Sequence, residues 1–134
     1  MTQRTELHCS GKRVLLVDDE PHIRELCQIL LENGDYLVDL VADGEEALNA
    51  LSKERYELLI TDHLMPKISG LELARQLRLN GNHIPAILIS GDMPVHEPDL
   101  RYLFSAGSLL AKPFSISQFL GAVDETLRSP RLPA

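Results

Sequence analysis

Four short apolar runs in this chain end in groups capable of chemistry. Val14-Leu15-Leu16-Val17 leads into Asp18, Asp19 and Glu20, and Leu58-Leu59-Ile60-Thr61 leads into Asp62. Ala86-Ile87-Leu88-Ile89 ends in Ser90, and Leu109-Leu110-Ala111 ends in Lys112-Pro113. In an open α/β sheet, ligands sit outside the carboxyl ends of such strands. The strand ends therefore offer one crevice the carboxylates of Asp18, Asp19 and Asp62, a hydroxyl and an amine. An aspartate carboxylate can attack phosphorus and form an acyl phosphate. Attacker and transferred group are both negative, so the reaction needs cations. Asp18, Asp19 and Asp62 make a compact set of hard oxygen ligands suited to Mg2+, and Lys112 adds a second positive charge. Three such carboxylates repel one another and hold protons more tightly unless a cation is near. The set fits metal-assisted phosphoryl transfer with Asp62 as acceptor.

Strands and helices alternate along the chain to position these groups. Pro21 suits the first position of a helix, and Ile23, Leu26, Cys27 and Leu30 give it an i, i+3, i+4, i+7 face. Asn33-Gly34 stops it, and residues 36–41 form a second strand. After the Asp43-Gly44 turn, Ala47, Leu48 and Leu51 mark helix two. Helix three turns Leu73, Ala74 and Leu77 inward and ends at Asn80-Gly81-Asn82. Helix four is weak, with Leu100, Leu103 and Phe104 inward and Pro98 restricting its start. Strand five covers residues 108–111. Ser115 and Gln118 form a capping box for helix five, whose stripe is Ile116, Phe119, Leu120, Val123 and Leu127. Alternating elements with near-continuous apolar strands imply a parallel sheet covered on both faces.

Composition narrows the function. The 134 residues suffice for one core, and 4% aromatic content leaves the filling to aliphatic side chains. A formal charge of -7 argues against direct nucleic-acid binding. No apolar stretch reaches the roughly 18 residues of a membrane span. Cys9 and Cys27 form no redox or metal motif, and a cytoplasmic location is the simplest expectation.

The residues resemble the receiver domain of two-component response regulators. The resemblance spans residues 12–127 and rests on Asp18-Asp19, Asp62 with Met65-Pro66 and Gly70, Ser90, and Lys112-Pro113-Phe114. Asp43-Gly44-Glu45-Glu46-Ala47-Leu48 adds to it. It implies a flavodoxin-like, doubly wound sheet of five parallel strands in the order 2-1-3-4-5, with helices on both faces. The domain is expected over residues 12–128 with an N-terminal tail at 1–11, and the proline-containing residues 129–134 read as a C-terminal tail or the start of a linker. The resemblance implies Mg2+ at Asp18, Asp19, Asp62 and the backbone carbonyl of Leu64, with Lys112 and Ser90 on the phosphoryl oxygens. Leu64 and Asp92, two residues beyond Asp62 and Ser90, fall where family members tune dephosphorylation. The implied donor is a histidine kinase or histidine phosphotransfer protein. The implied output is a downstream protein docking on the helix 4–strand 5–helix 5 face.

One position departs from the family. Three residues before Lys112, receivers usually carry an aromatic ring that turns inward on activation, and this chain has Leu109. A ring-based switch is then impossible. The two-state element is expected to be the Gly91-Asp92-Met93-Pro94 loop with helix four, Tyr102 or Phe104 supplying aromatic surface. The residues after Lys112 suffice for one helix and a tail, so the chain reads as a stand-alone receiver or a piece of a larger regulator or hybrid kinase.

Each residue has a plainer reading. Asp19 or Glu20 could simply cap helix one, Asp62 could be a turn residue, Ser90 a strand-end hydroxyl and Lys112 a solvated amine. His63 is a single ring without metal-binding companions, and His22 reads as a surface residue at the rim. Two other functions compete. A haloacid-dehalogenase-type phosphatase needs an acid two residues after its nucleophile, where this chain has Leu64. A flavodoxin-like cofactor binder needs a phosphate-cradling loop where Asp18-Asp19-Glu20 would repel phosphate.

Overall fold

Two strands without a solvent-facing position, β3 (Leu58–Asp62) and β4 (Ala86–Ser90), occupy the middle of the sheet. In the computed structural model, which describes residues 11–128, they are joined by β1 (Arg13–Val17), β2 (Leu37–Val41) and β5 (Leu109–Ala111). All pairings are parallel and the order is β2-β1-β3-β4-β5, as the resemblance implied. The helices are α1 (Pro21–Asn33), α2 (Gly44–Lys53), α3 (Gly70–Leu79), the single-turn α4 (Leu100–Leu103) and α5 (Ile116–Arg128). The expected tails lie almost wholly outside the described residues, as does Cys9.

The period of two along each strand divides the core into two layers. Leu15, Val17, Leu59 and Leu88 pack with Ala47, Leu73, Leu77, Leu100 and Phe104 from α2, α3 and the α4 region. Val14, Leu16, Ile60, Ile87 and Ile89 pack on the other face with Cys27 and Leu31 of α1 and Phe119 and Val123 of α5. Burial pushes the Cys27 thiol up to about 12, which suits an unreactive core residue.

Several boundaries and faces differ from the sequence expectation. Tyr36 is not in β2, because its N–H donates to the carbonyl of Leu31 and completes the turn that ends α1. Ser108 closes a 3-10 turn (Ala106–Ser108) and bonds Thr126 of α5 at 2.6 Å, so β5 starts at Leu109. On α1 the buried axis is Cys27–Leu31, which leaves Leu26 41% exposed. On α5, Ala122 and Thr126 are buried, whereas Ile116 and Leu120 are exposed. Phe104 caps α4 and is buried, so of the two aromatics only Tyr102 offers surface. β2 is a half-exposed edge strand rather than a continuous apolar one. Its Asp39 accepts from Arg13 at 2.9 Å and from the Tyr56 hydroxyl at 2.6 Å, a polar guard suited to an open edge. The capping box is as read: Gln118 N–H donates to Ser115 Oγ, and Ser115 N–H to Gln118 Oε1.

The α1 face gives a direct test. Leu31→Ala should cost about 3 kcal/mol in urea denaturation, and Leu26→Ala under about 1 kcal/mol. Equal costs would mean that α1 is rotated from its described orientation.

Candidate functional site

The crevice lies where the strand order reverses, between β1 and β3. β1 delivers Asp18, buried, and Asp19, exposed; β3 delivers Asp62, buried as its last residue. One carboxylate oxygen from each lies within 4.8 Å of the other two, a cluster that could hold a metal ion. The backbone at Asp18 is fixed by its own N–H to Val41 at 3.3 Å and by Arg24, which donates to its carbonyl at 3.2 Å. Its Oδ1 accepts the Glu20 N–H at 2.8 Å. Glu20 is the residue capping α1, and its side chain makes no capping bond.

Asp18 Oδ2 is buried and has no hydrogen-bond partner among the described residues. Burial is the main reason that its carboxyl is pushed up to about 6, and the Asp62 and Asp19 charges add to the rise. A buried oxygen facing two more carboxylates fits a small divalent cation, which would satisfy it and remove the repulsion. Mg2+ fits this donor set.

Lys112 closes the crevice from β5. Its Nζ lies 3.2 Å from Asp62 Oδ1, and its N–H donates to the carbonyl of Ser90 at 2.9 Å. Burial alone would lower the ammonium pKa, but the Asp62 hydrogen bond and charge, with Asp18 and Glu20, outweigh it and the shift is upward. Lys112 therefore stays charged and is not a solvated surface amine. Ser90 is buried at the end of β4, and its Oγ accepts the Asp92 N–H at 3.0 Å. Leu64, 67% exposed, and Asp92, also exposed, stand at the rim. Leu109 is half-buried against the core. His63 is half-buried with its pKa lowered by burial, and it is not part of the carboxylate cluster among the described residues. His22 is exposed.

The loop after Asp62 is held at Lys67, which has no sequence signature, and at Gly70. Lys67 adopts φ 75°, a costly left-handed geometry for a side-chain-bearing residue, and pairs with Asp43 at 3.3 Å and Glu45 at 3.2 Å. Asp43 also caps α2 through the Glu46 N–H. Gly70 lets α3 start against the backbone of Asp62 and His63, where a Cβ would collide with the Asp62 carbonyl oxygen.

Comparison with known proteins agrees with this geometry. The family model for the response regulator receiver domain matches residues 14–124. Response regulator MprA of Mycobacterium ulcerans is 34% identical over 120 residues, 90% of this chain and 52% of the relative. The chain thus spans about half the length of the curated relatives it matches. The structure of response regulator protein TrrA from Thermotoga maritima, in complex with Mg2+–BeF, superposes with a TM-score of 0.75 at 34% identity, over 86% of this chain and 98% of that one. Chemotaxis response regulator CheY4 of Vibrio cholerae gives a TM-score of 0.78 at 28% identity, over 87% and 99%. The sheet and its acidic crevice are those of a two-component signalling domain. The chain belongs to the response regulator receiver domain family.

The strain at Asp18 is measurable without metal. Its carboxyl, ordinarily at 3.8, is held near 6 in the fold, so the folded state takes up this proton at the higher pH. Metal-free stability from this group therefore rises as pH falls from about 7 toward 4. Asp43 is held low by the Glu46 N–H, and Asp99 by Arg75, so they lose their contributions only below about pH 4. Asp18→Asn keeps an oxygen for the Glu20 N–H and should stabilise the metal-free protein by about 1–2 kcal/mol at pH 7, and by less at pH 5. Urea midpoints at the two pH values decide; a less stable variant would mean that the ionised Asp18 is well compensated.

Proposed function

We propose that Asp62 accepts a phosphoryl group from a histidine kinase or histidine phosphotransfer protein and that the domain then changes a docking surface. The observation that carries this reading is Lys112 Nζ at 3.2 Å from Asp62 Oδ1, with the Asp18 and Asp19 carboxylates alongside. Asp18, Asp19, Asp62 and the carbonyl of Leu64 would hold Mg2+. When bound, the ion supplies positive charge against the transferred group. Asp62 forms a new P–O bond as the phosphoryl bond to the donor breaks. Lys112 is placed to meet the charge on the phosphoryl oxygens, and Ser90 to donate its hydroxyl to one of them. Positioning and charge account for the rate, with no covalent step besides that on Asp62 itself. The chain acts only on its own phosphoryl group.

The competing readings are weaker in the same terms. Leu64 offers no acid where a dehalogenase-type phosphatase needs one. Asp18, Asp19 and Glu20 line the place where a flavodoxin-like binder would receive phosphate. We place the functional domain at residues 12–128 and its output on the face formed by α4, β5 and α5. Leu109 has no ring to turn inward, so the signal passes through Ser90 and the loop that follows it.

Incubation with Mg2+ and acetyl phosphate should add one phosphoryl mass, and Asp62→Asn should abolish the gain. A gain that survives in the variant would place the acceptor elsewhere. Water attack on the phosphoryl group is governed at the rim. An amide at position 64 can orient that water, and one hydrogen bond is worth about 1 kcal/mol, so Leu64→Asn should shorten the phosphoryl lifetime roughly fivefold. An unchanged lifetime would remove Leu64 from the control of hydrolysis.

A further inference from the structure

Helix α4 has a single turn, with Leu100 and Leu103 buried in the core, and it is fastened at both ends to α3. At its start, Asp99 does not cap the helix with its side chain. Its carboxylate is taken by Arg75, with Nε to Oδ2 at 2.7 Å and Nη2 to Oδ1 at 2.9 Å. The same Nη2 donates to Glu97 Oε1 at 2.7 Å, and Nη1 reaches Glu72 at 3.4 Å. At its end, Arg78 donates to the carbonyl of Leu103 at 3.3 Å and to those of Asn82 and Ile84. Arg75 and Arg78 sit one turn apart on α3, so two neighbouring guanidinium groups span the whole of α4. The fork geometry of Arg75 on Asp99 fixes orientation as well as distance.

The fastened segment begins at the candidate site. Ser90 Oγ accepts the Asp92 N–H, and the loop then turns twice, through Val95 N–H to Met93 and Glu97 N–H to Pro94, before reaching Glu97 and Asp99. If Ser90 shifts toward a phosphoryl group on Asp62, this loop must move, and Arg75 holds its far end.

We propose that Arg75 is an inhibitory latch, which holds the β4–α4 loop and α4 in the phosphoryl-free arrangement through Glu97 and Asp99. The inference rests on the reading of Asp62 as phosphoacceptor. The latch and the phosphoryl group bias one two-state element in opposite directions, and such coupling is reciprocal: loosening one favours the other. Arg75→Gln removes the charge and the fork while keeping a long side chain.

Titration calorimetry of the full chain with Mg2+ and beryllofluoride, a phosphoryl mimic, tests the proposal. Arg75→Gln should bind about fivefold more tightly than wild type, at the lower end of usual allosteric couplings. The double variant Glu97→Gln, Asp99→Asn opens the latch from its other side and should tighten binding likewise, which covers a folding failure of the first. Amide exchange in residues 95–104 should rise in either variant before the mimic is added. Faster exchange with unchanged or weaker binding would make Arg75 a structural brace only and overturn the latch. Failure of the wild type to bind the mimic, or binding that persists in Asp62→Asn, would overturn the phosphoacceptor reading and the latch with it.

Discussion

Repulsion among three carboxylates at one end of the sheet is the constraint around which the rest is arranged. The fold buries Asp18 and Asp62 within reach of Asp19, which no unligated protein gains by doing. What makes it tolerable is local: the Glu20 N–H on one oxygen of Asp18, and the Lys112 ammonium on Asp62. Neither removes the cost entirely, and Asp18 Oδ2 is left without a partner among the described residues. The site is thus held short of electrostatic balance, and a divalent cation would complete it. Free energy stored as unrelieved charge becomes affinity for whatever relieves it.

Parallel register decides which charges meet. Val17 pairs with Thr61, and Asp62 with Ile89, so each strand ends within about one residue of its neighbours. Ser90 pairs with Ala111, which puts Lys112 one step past the hydroxyl. A slip of one residue would turn each of these side chains to the opposite face of the sheet. The two aliphatic layers prevent that slip, because every strand carries apolar residues sorted for both faces.

Much of this was legible in the sequence. An apolar run closed by a reactive group marks both a strand and its functional end, and Asp18, Asp19, Asp62, Ser90 and Lys112 all sit where such runs end. Helical faces were read less well. One residue is about 100° of rotation, so Leu26 and Leu120 passed for inward positions although Leu31 and Ala122 hold them. The ends of β2 and β5 were set by turns at Leu31 and Ser105, whose hydrogen bonds leave no periodic trace. Lys67 and Arg75 were not legible at all. Their partners lie more than twenty positions away in part, and a charged residue in a loop or on a helix reads as solvated until the fold supplies its partner.

The ladder between β1 and β2 does not stop at the end of the strand. The N–H of Asp18 still donates to Val41, the last residue of the half-exposed edge. The anchorage of a buried acid therefore rests in part on the strand with the least cover, whose outer side pairs with no other strand among the described residues. Fraying at that edge would remove one of the two hydrogen bonds that hold the backbone of Asp18, leaving the bond from Arg24 to its carbonyl. The precision of the crevice is then bounded by the thermal motion of a strand whose outer side bounds no part of it.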